Sequence, residues 1–155
     1  MGKVIRRGEV LQLIEELHNS GLTVVTTNGC FDILHVGHIR YLQKTKSYAD
    51  ILIVLLNSDK SVRSIKGPTR PINNENDRAE VLCALSCVDY VVMFDEDSPR
   101  NLLDEMKPDV YTKGADYTME TLPEADIMRK NNTKVEFINF VEGKSTTNII
   151  NKINK

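Results

Sequence analysis

Two imidazoles, His35 and His38, stand three residues apart with Gly37 between them, at the end of the run Thr26-Thr27-Asn28-Gly29-Cys30-Phe31-Asp32-Ile33-Leu34. The β-branched residues before this run and the helical spacing after it place it where a strand hands over to a helix. The first N–H groups of a helix lack intrahelical partners, and the helix dipole leaves positive charge at the same end, so the junction is a natural anion site. Two histidines add side-chain donors there. A glycine between them lets a ligand approach the backbone closely. The chemistry these residues predict is the binding of a polyphosphate.

Other residues able to do chemistry fall in loops further along. They are Asn57-Ser58-Asp59, then Lys66 and Arg70 around Gly67-Pro68, then Arg78 and Arg100. Lys113-Gly114-Ala115-Asp116-Tyr117 and Gly143-Lys144-Ser145-Thr146-Thr147 follow. Each has a plainer reading. A Ser/Thr cluster before a helix is an ordinary N-cap, basic residues beside a Gly-Pro turn are commonly solvated, and Asn73, Asn74 and Asn76 cap the helix that follows them.

Positioning these loops requires alternating strands and helices. Val10, Leu11, Ile14 and Leu17 recur at helical spacing before Gly21, which predicts a helix over 8–20. Strands are expected at 22–27, 50–57, 88–94, 109–112 and 135–138. Helices are expected at 36–47, 76–86, from Ser98-Pro99 onward, at 123–131 and at 145–153. The run Ile51-Leu52-Ile53-Val54-Leu55-Leu56 is apolar on both faces, as suits a central parallel strand. The pattern implies an α/β fold, a Rossmann-like doubly wound parallel five-stranded sheet with helices on both faces. Ligands of such sheets sit beyond the carboxyl ends of the strands. The chemical loops fall there.

Composition narrows the partners. A chain of 155 residues with a formal net charge of −2 fits one domain and has no basic block, so nucleic acid is not an expected partner. No apolar run approaches membrane-spanning length and no signal-type h-region follows the N-terminus, so no membrane partner and a cytoplasmic location are expected. The three cysteines lack zinc-type spacing and read as reduced, buried thiols.

The run from Asn28 to His38, with Ser145-Thr146-Thr147-Asn148-Ile149-Ile150 later, resembles the cytidylyltransferase-like nucleotidyltransferases, whose hallmark is His-x-Gly-His after the first strand. Within them the chain is most similar to the adenylyltransferase domain of the ADP-heptose pathway. The matching pieces also include Asn57-Ser58-Asp59-Lys60-Ser61-Val62, Lys66-Gly67-x-x-Arg70-Pro71-Ile72-Asn73, Arg78, Ala84-Leu85 with Val88-Asp89, and Lys113-Gly114-x-Asp116-Tyr117.

The resemblance implies a single nucleotidyltransferase domain over 1–155, an N-terminal helix in 1–21 and a Rossmann-like core in 22–155. It implies that ATP and a sugar 1-phosphate, D-glycero-D-manno-heptose 1-phosphate, give ADP-heptose and pyrophosphate by in-line attack on the α-phosphate. His35, His38 and Lys66 would then be catalytic, Lys66 as a mobile-loop cation. Thr27, Asn28, Gly29, Cys30, Phe31, Gly37, His38, Asn57, Asp59, Arg78, Lys113, Gly114, Asp116, Tyr117, Gly143, Ser145, Thr146 and Thr147 would bind nucleotide. Asp32, Lys66, Arg70 and Arg100 would meet the sugar phosphate. Mg²⁺ would travel with the triphosphate, with no metal ligands from the protein. A homodimer, with 84–90 in its contact, and a separate upstream sugar kinase are also implied.

The glycerol-phosphate and choline-phosphate relatives carry Arg-Thr where this chain has Phe140-Val141 before Glu142-Gly143. The missing arginine removes a strong polar contact, which favours ATP over CTP. A glycerol 3-phosphate-type cytidylyltransferase, a heptose 1-phosphate guanylyltransferase and a nucleotide-sensing module without catalysis remain as alternatives.

Overall fold

The computed structural model describes residues 1–139 and 145–154. Its central element is β3 (Ile51–Asn57), buried on both faces as its unbroken apolar sequence requires. Leu52, Val54 and Leu56 point into one core and Ile53 and Leu55 into the other. The strand therefore splits its side chains between two helix layers.

The remaining strands are β1 (Lys3–Ile5), β2 (Val24–Gly29), β4 (Tyr90–Phe94), β5 (Val110–Gly114) and β6 (Lys134–Ile138). All pairings are parallel, in the order β1-β4-β3-β2-β5-β6. The helices are α1 (Val10–Asn19), α2 (Val36–Lys46), α3 (Asp59–Lys66), α4 (Glu75–Cys83), α5 (Arg100–Met106), α6 (Ala125–Lys130) and α7 (Thr146–Ile153). Leu42 of α2 and Ala79, Leu82 and Cys83 of α4 pack in one core. Val10 and Ile14 of α1, Leu102, Leu103 and Met106 of α5, and Ile127 and Met128 of α6 pack in the other. The chain crosses from one face to the other after β4, so the switch in strand order lies between β2 and β5, which pair through Val25 and Thr26 with Val110 and Tyr111.

The sheet has six strands where the sequence predicted five. The additional strand, β1, pairs Lys3, Val4 and Ile5 with Tyr90, Val91 and Val92, and Gly2 N donates to Cys83 O at 2.9 Å. A Cβ on Gly2 would lie 2.7 Å from Val88 O, so this approach needs glycine. The first 21 residues thus add a strand to the sheet ahead of the expected helix, α1. The segment 84–90, expected at a dimer contact, is in part occupied by this strand of its own chain.

Helix α3 is the second departure. Its sequence, Asp59 to Lys66, is polar and buries only Ser61 and Val62, so no apolar stripe announced it. Ser58 caps it, accepting from Ser61 N at 3.2 Å, and Gly67 ends it at φ 100°. Lys66 is therefore the last residue of a helix and not part of the following loop.

The two rims of the sheet differ. At the amino-terminal ends, Asp89 accepts from Leu52 N at 2.8 Å and from Lys46 Nζ at 2.6 Å, and Asp109 accepts from Val24 N at 2.8 Å. These carboxylates brace neighbouring strands. The carboxyl-terminal ends open into a crevice. No helix among the described residues is long and apolar enough to cross a membrane.

Candidate active site

The crevice begins at the β2–α2 junction. His35 is the N-cap of α2, with extended backbone, and its Nδ1 accepts from Gly37 N at 3.1 Å. His38 lies one turn along, and its Nδ1 accepts from His35 N at 3.3 Å. A ring nitrogen that accepts a backbone N–H carries no proton, so both rings hold theirs on Nε2. The rings stack with centroids 4.0 Å apart, and Phe31 meets His38 edge-on at 5.5 Å. Burial, and then the neighbouring His35 and Lys66, lower the His38 pKa from its ordinary 6.5 to about 4. At neutral pH His38 is a neutral imidazole offering one N–H.

The turn that carries these rings is fixed from several sides. Phe31 adopts φ 45° and is buried, and a Cβ on Gly29 would come within 2.8 Å of its ring. Asp32 accepts from Ile72 N at 2.7 Å and Asn73 N at 2.8 Å, which ties the turn to the segment between α3 and α4. Thr146 Oγ1 donates to Ile33 O at 2.9 Å, which ties it to the start of α7. Arg78, fully buried, donates to Cys30 O, Asn57 O, Asn73 O and Asp59 Oδ1 at 2.7, 2.8, 3.0 and 2.8 Å. One cation thereby holds the ends of β2 and β3 and the start of α4 together.

Two adjoining lobes open from this turn and share Asn28, Gly29, Cys30, Phe31, His38, Lys66, Lys113, Tyr117 and Thr146. The first, of about 660 Å³, adds His35, Gly37, Tyr41, Gly114, Asp116, Ser145, Thr147 and Asn148. The second, of about 490 Å³, adds Asp32, Asn57, Val62, Ile65, Arg70, Asp97, Ser98, Pro99, Pro123 and Glu124. Lys113 lies between them with its Nζ 5.1 Å from the Tyr117 ring centroid, and burial lowers its pKa. Burial raises that of the Cys30 thiol, so the thiol is not an activated nucleophile.

A family model described as Cytidylyltransferase-like matches residues 26–152, the whole segment that carries both lobes. The chain belongs to the cytidylyltransferase-like family. The bifunctional protein HldE of Syntrophotalea carbinolica is 50% identical over 151 residues, which are 97% of this chain and 31% of that protein. The bifunctional protein HldE of Geobacter metallireducens is 53% identical over 141 residues, 91% of this chain and 29% of that protein. The chain spans about a third of the length of the curated relatives it matches. A crystal structure of the lipopolysaccharide core biosynthesis protein from Thermoplasma volcanium GSS1 is 32% identical, with a TM-score of 0.63. It covers 80% of this chain and all of its own.

Most of the residues expected at a site of this family line the crevice. Four do not. Thr27 is buried beneath it, sharing hydrogen bonds with Tyr41 and Thr112 O. Asp59 is paired with Arg78, and Arg78 spends its donors on the protein and not on a phosphate. Arg100 forms a two-pronged pair with Asp126 at 3.0 and 2.5 Å and also donates to Pro123 O, outside the lining of either lobe. Asn57 reaches the lining but its side chain donates to Ser61 Oγ. Gly143 lies outside the described residues, as do Phe140 and Val141. Tyr41, Asp97, Ser98 and Glu124 are lining residues that the sequence did not single out. Ser98 read only as a helix start, and Glu124 sat inside an expected helix with no neighbour to mark it.

Proposed function

We propose that this chain is a sugar 1-phosphate adenylyltransferase, condensing ATP with D-glycero-D-manno-heptose 1-phosphate to give ADP-heptose and pyrophosphate. The observation that carries the reading is the pair of stacked histidines at the start of α2, each with its proton on Nε2, of which His38 lines both lobes and His35 the larger one. The larger lobe takes the nucleotide against the starts of α2 and α7 and the loop after β5. The smaller takes the sugar phosphate, with Lys66 and Arg70 for its anionic end.

A phosphate monoester has a second pKa of about 6, so at neutral pH its oxygen attacks the α-phosphorus without a general base. The new O–P bond forms as the bond from the α-phosphorus to the β-phosphate oxygen breaks, and pyrophosphate leaves in line. Positioning and charge stabilisation are what the protein supplies. His38 and His35 donate to the oxygens on which charge develops, and Lys66 reaches the transferring group from the end of α3. The larger lobe has Asp116 as its one carboxylate among the described residues, so Mg²⁺ arrives on the triphosphate with its own waters. An upstream sugar kinase supplies the sugar 1-phosphate in the cytoplasm, and the active species is a homodimer.

A pyrophosphate-release screen crossing ATP, GTP and CTP with heptose 1-phosphate and glycerol 3-phosphate tests the reading. Release with ATP and heptose 1-phosphate supports it. Release only with CTP and glycerol 3-phosphate, or only with GTP, replaces it with a neighbouring specificity, and no release with any pair removes the transferase reading.

A further inference from the structure

Glu124 lines the smaller lobe and is 3% exposed. Its Oε1 accepts from Ser98 Oγ at 3.1 Å, whereas its buried Oε2 has no hydrogen-bond partner among the described residues. The backbone of Glu124 is the N-cap of α6, but its side chain makes no capping bond. No cation lies within ion-pair distance of it among the described residues. A carboxylate oxygen withdrawn from water with no donor is costly to keep, so such a group is expected to meet its donor on a ligand.

The lobe is lined by both signs of charge, Lys66, Arg70 and Lys113 with Asp32, Asp97 and Glu124. Lys113 is near enough to Glu124 to interact with it electrostatically. An occupant that fits such a lining carries both a phosphate and hydroxyl donors. Ser98 fixes the carboxylate by donating to Oε1, and is itself held by Arg100 N, which donates to Ser98 Oγ at 3.2 Å. We infer that Glu124 determines acceptor specificity, its Oε2 accepting a hydroxyl of the sugar phosphate. This rests on the assignment of the smaller lobe to the acceptor.

The test is Glu124→Gln, which keeps the size of the side chain and puts an NH₂ where the acceptor hydroxyl would donate. Loss of a hydrogen bond to a charged group is expected to raise KM for heptose 1-phosphate by about tenfold or more, with KM for ATP unchanged. In wild type, one monodeoxy analogue of the acceptor should lose the same factor, and the two losses should not multiply when combined. A rise in KM for ATP instead, an unchanged KM for the acceptor, or losses that multiply for every analogue would overturn the inference. If wild type releases no pyrophosphate with heptose 1-phosphate, the functional reading fails separately. Calorimetric binding of glycerol 3-phosphate to wild type and Glu124→Gln then decides: weaker binding by the variant supports the role of Glu124, and equal or absent binding overturns it.

Discussion

To the shared Lys66 and Lys113, the lobe lined by the starts of α2 and α7 adds ring nitrogens, hydroxyls and backbone N–H groups, whereas the lobe beside α3 adds Arg70, Asp97 and Glu124. The first suits a ligand that is anionic along much of its length, and its donors are held by the protein before any ligand arrives. The second suits a ligand that carries both a phosphate and hydroxyl donors. Under the proposed function, such a difference would let one crevice bind two phosphorylated substrates without confusing them. Chain anions are drawn to helix starts, and a mixed-charge pocket selects for hydroxyls beside a phosphate.

The wall shared by the lobes is where the largest effect is expected. His38→Ala removes a fixed donor from the reacting phosphate, and losing one such donor typically costs about 10²- to 10³-fold in kcat. Steady-state kinetics should show that loss with KM for either substrate little changed. An equal loss in both KM values would make His38 a binding residue of one lobe or the other.

Arg78→Met should act on both lobes at once by loosening the turn they share. It orphans the carbonyls of Cys30, Asn57 and Asn73 and leaves Asp59 without its cation. The expected cost is about 3 kcal/mol of folding stability, read from urea unfolding. A variant as stable as wild type but inactive would return Arg78 to the phosphate-binding role that the sequence suggested.

Thr146→Val should sharpen the contrast, since it removes the bond from Thr146 Oγ1 to Ile33 O at the start of α7. One such hydrogen bond is worth about 1 kcal/mol, or roughly fivefold in affinity. The rise should fall on KM for ATP rather than on that for the acceptor.

A further effect is with pH. His38 has a pKa of about 4 in the folded protein against an ordinary 6.5, so between these values the unfolded chain binds more protons. Its contribution to stability is present above pH 6.5 and is lost as the pH falls towards 4. The His38 ring resonances in an NMR titration should not move until the pH approaches 4. Titration near 6.5 would contradict the neutral donor assigned to it.

What the sequence made legible follows the strength of its local signals. The continuous apolar run of β3, the helical spacing of α1 and the run around His35 and His38 each carry a pattern that needs no tertiary contact to be read. By contrast, β1 is three residues long and pairs with β4 on the edge of the sheet, and α3 is a polar helix with its cap at Ser58. β1 is too short to show a period, and α3 offers only Val62 and Ile65, three residues apart, as its apolar side. The same holds for the site. Loops with glycine, lysine and threonine after strands line the crevice, since the fold sends strand ends there. Arg78 looked like a phosphate clamp because its residue type allows it, and only three-dimensional proximity to three carbonyls and Asp59 shows where its donors go. Glu124 has no sequence signal at all, because its meaning comes from a buried, unpaired oxygen on a residue that lines a cavity.

The division of the crevice is tested most directly by amide chemical-shift mapping of the wild-type protein, first with ATP and then with heptose 1-phosphate. The account predicts that ATP shifts the amides of Gly37, Gly114, Asp116 and Thr147. The acceptor should shift those of Val62, Ser98 and Glu124, with His38 and Lys66 responding to both. Two ligands that perturb the same set of amides, or an acceptor that leaves Ser98 and Glu124 untouched, would contradict it.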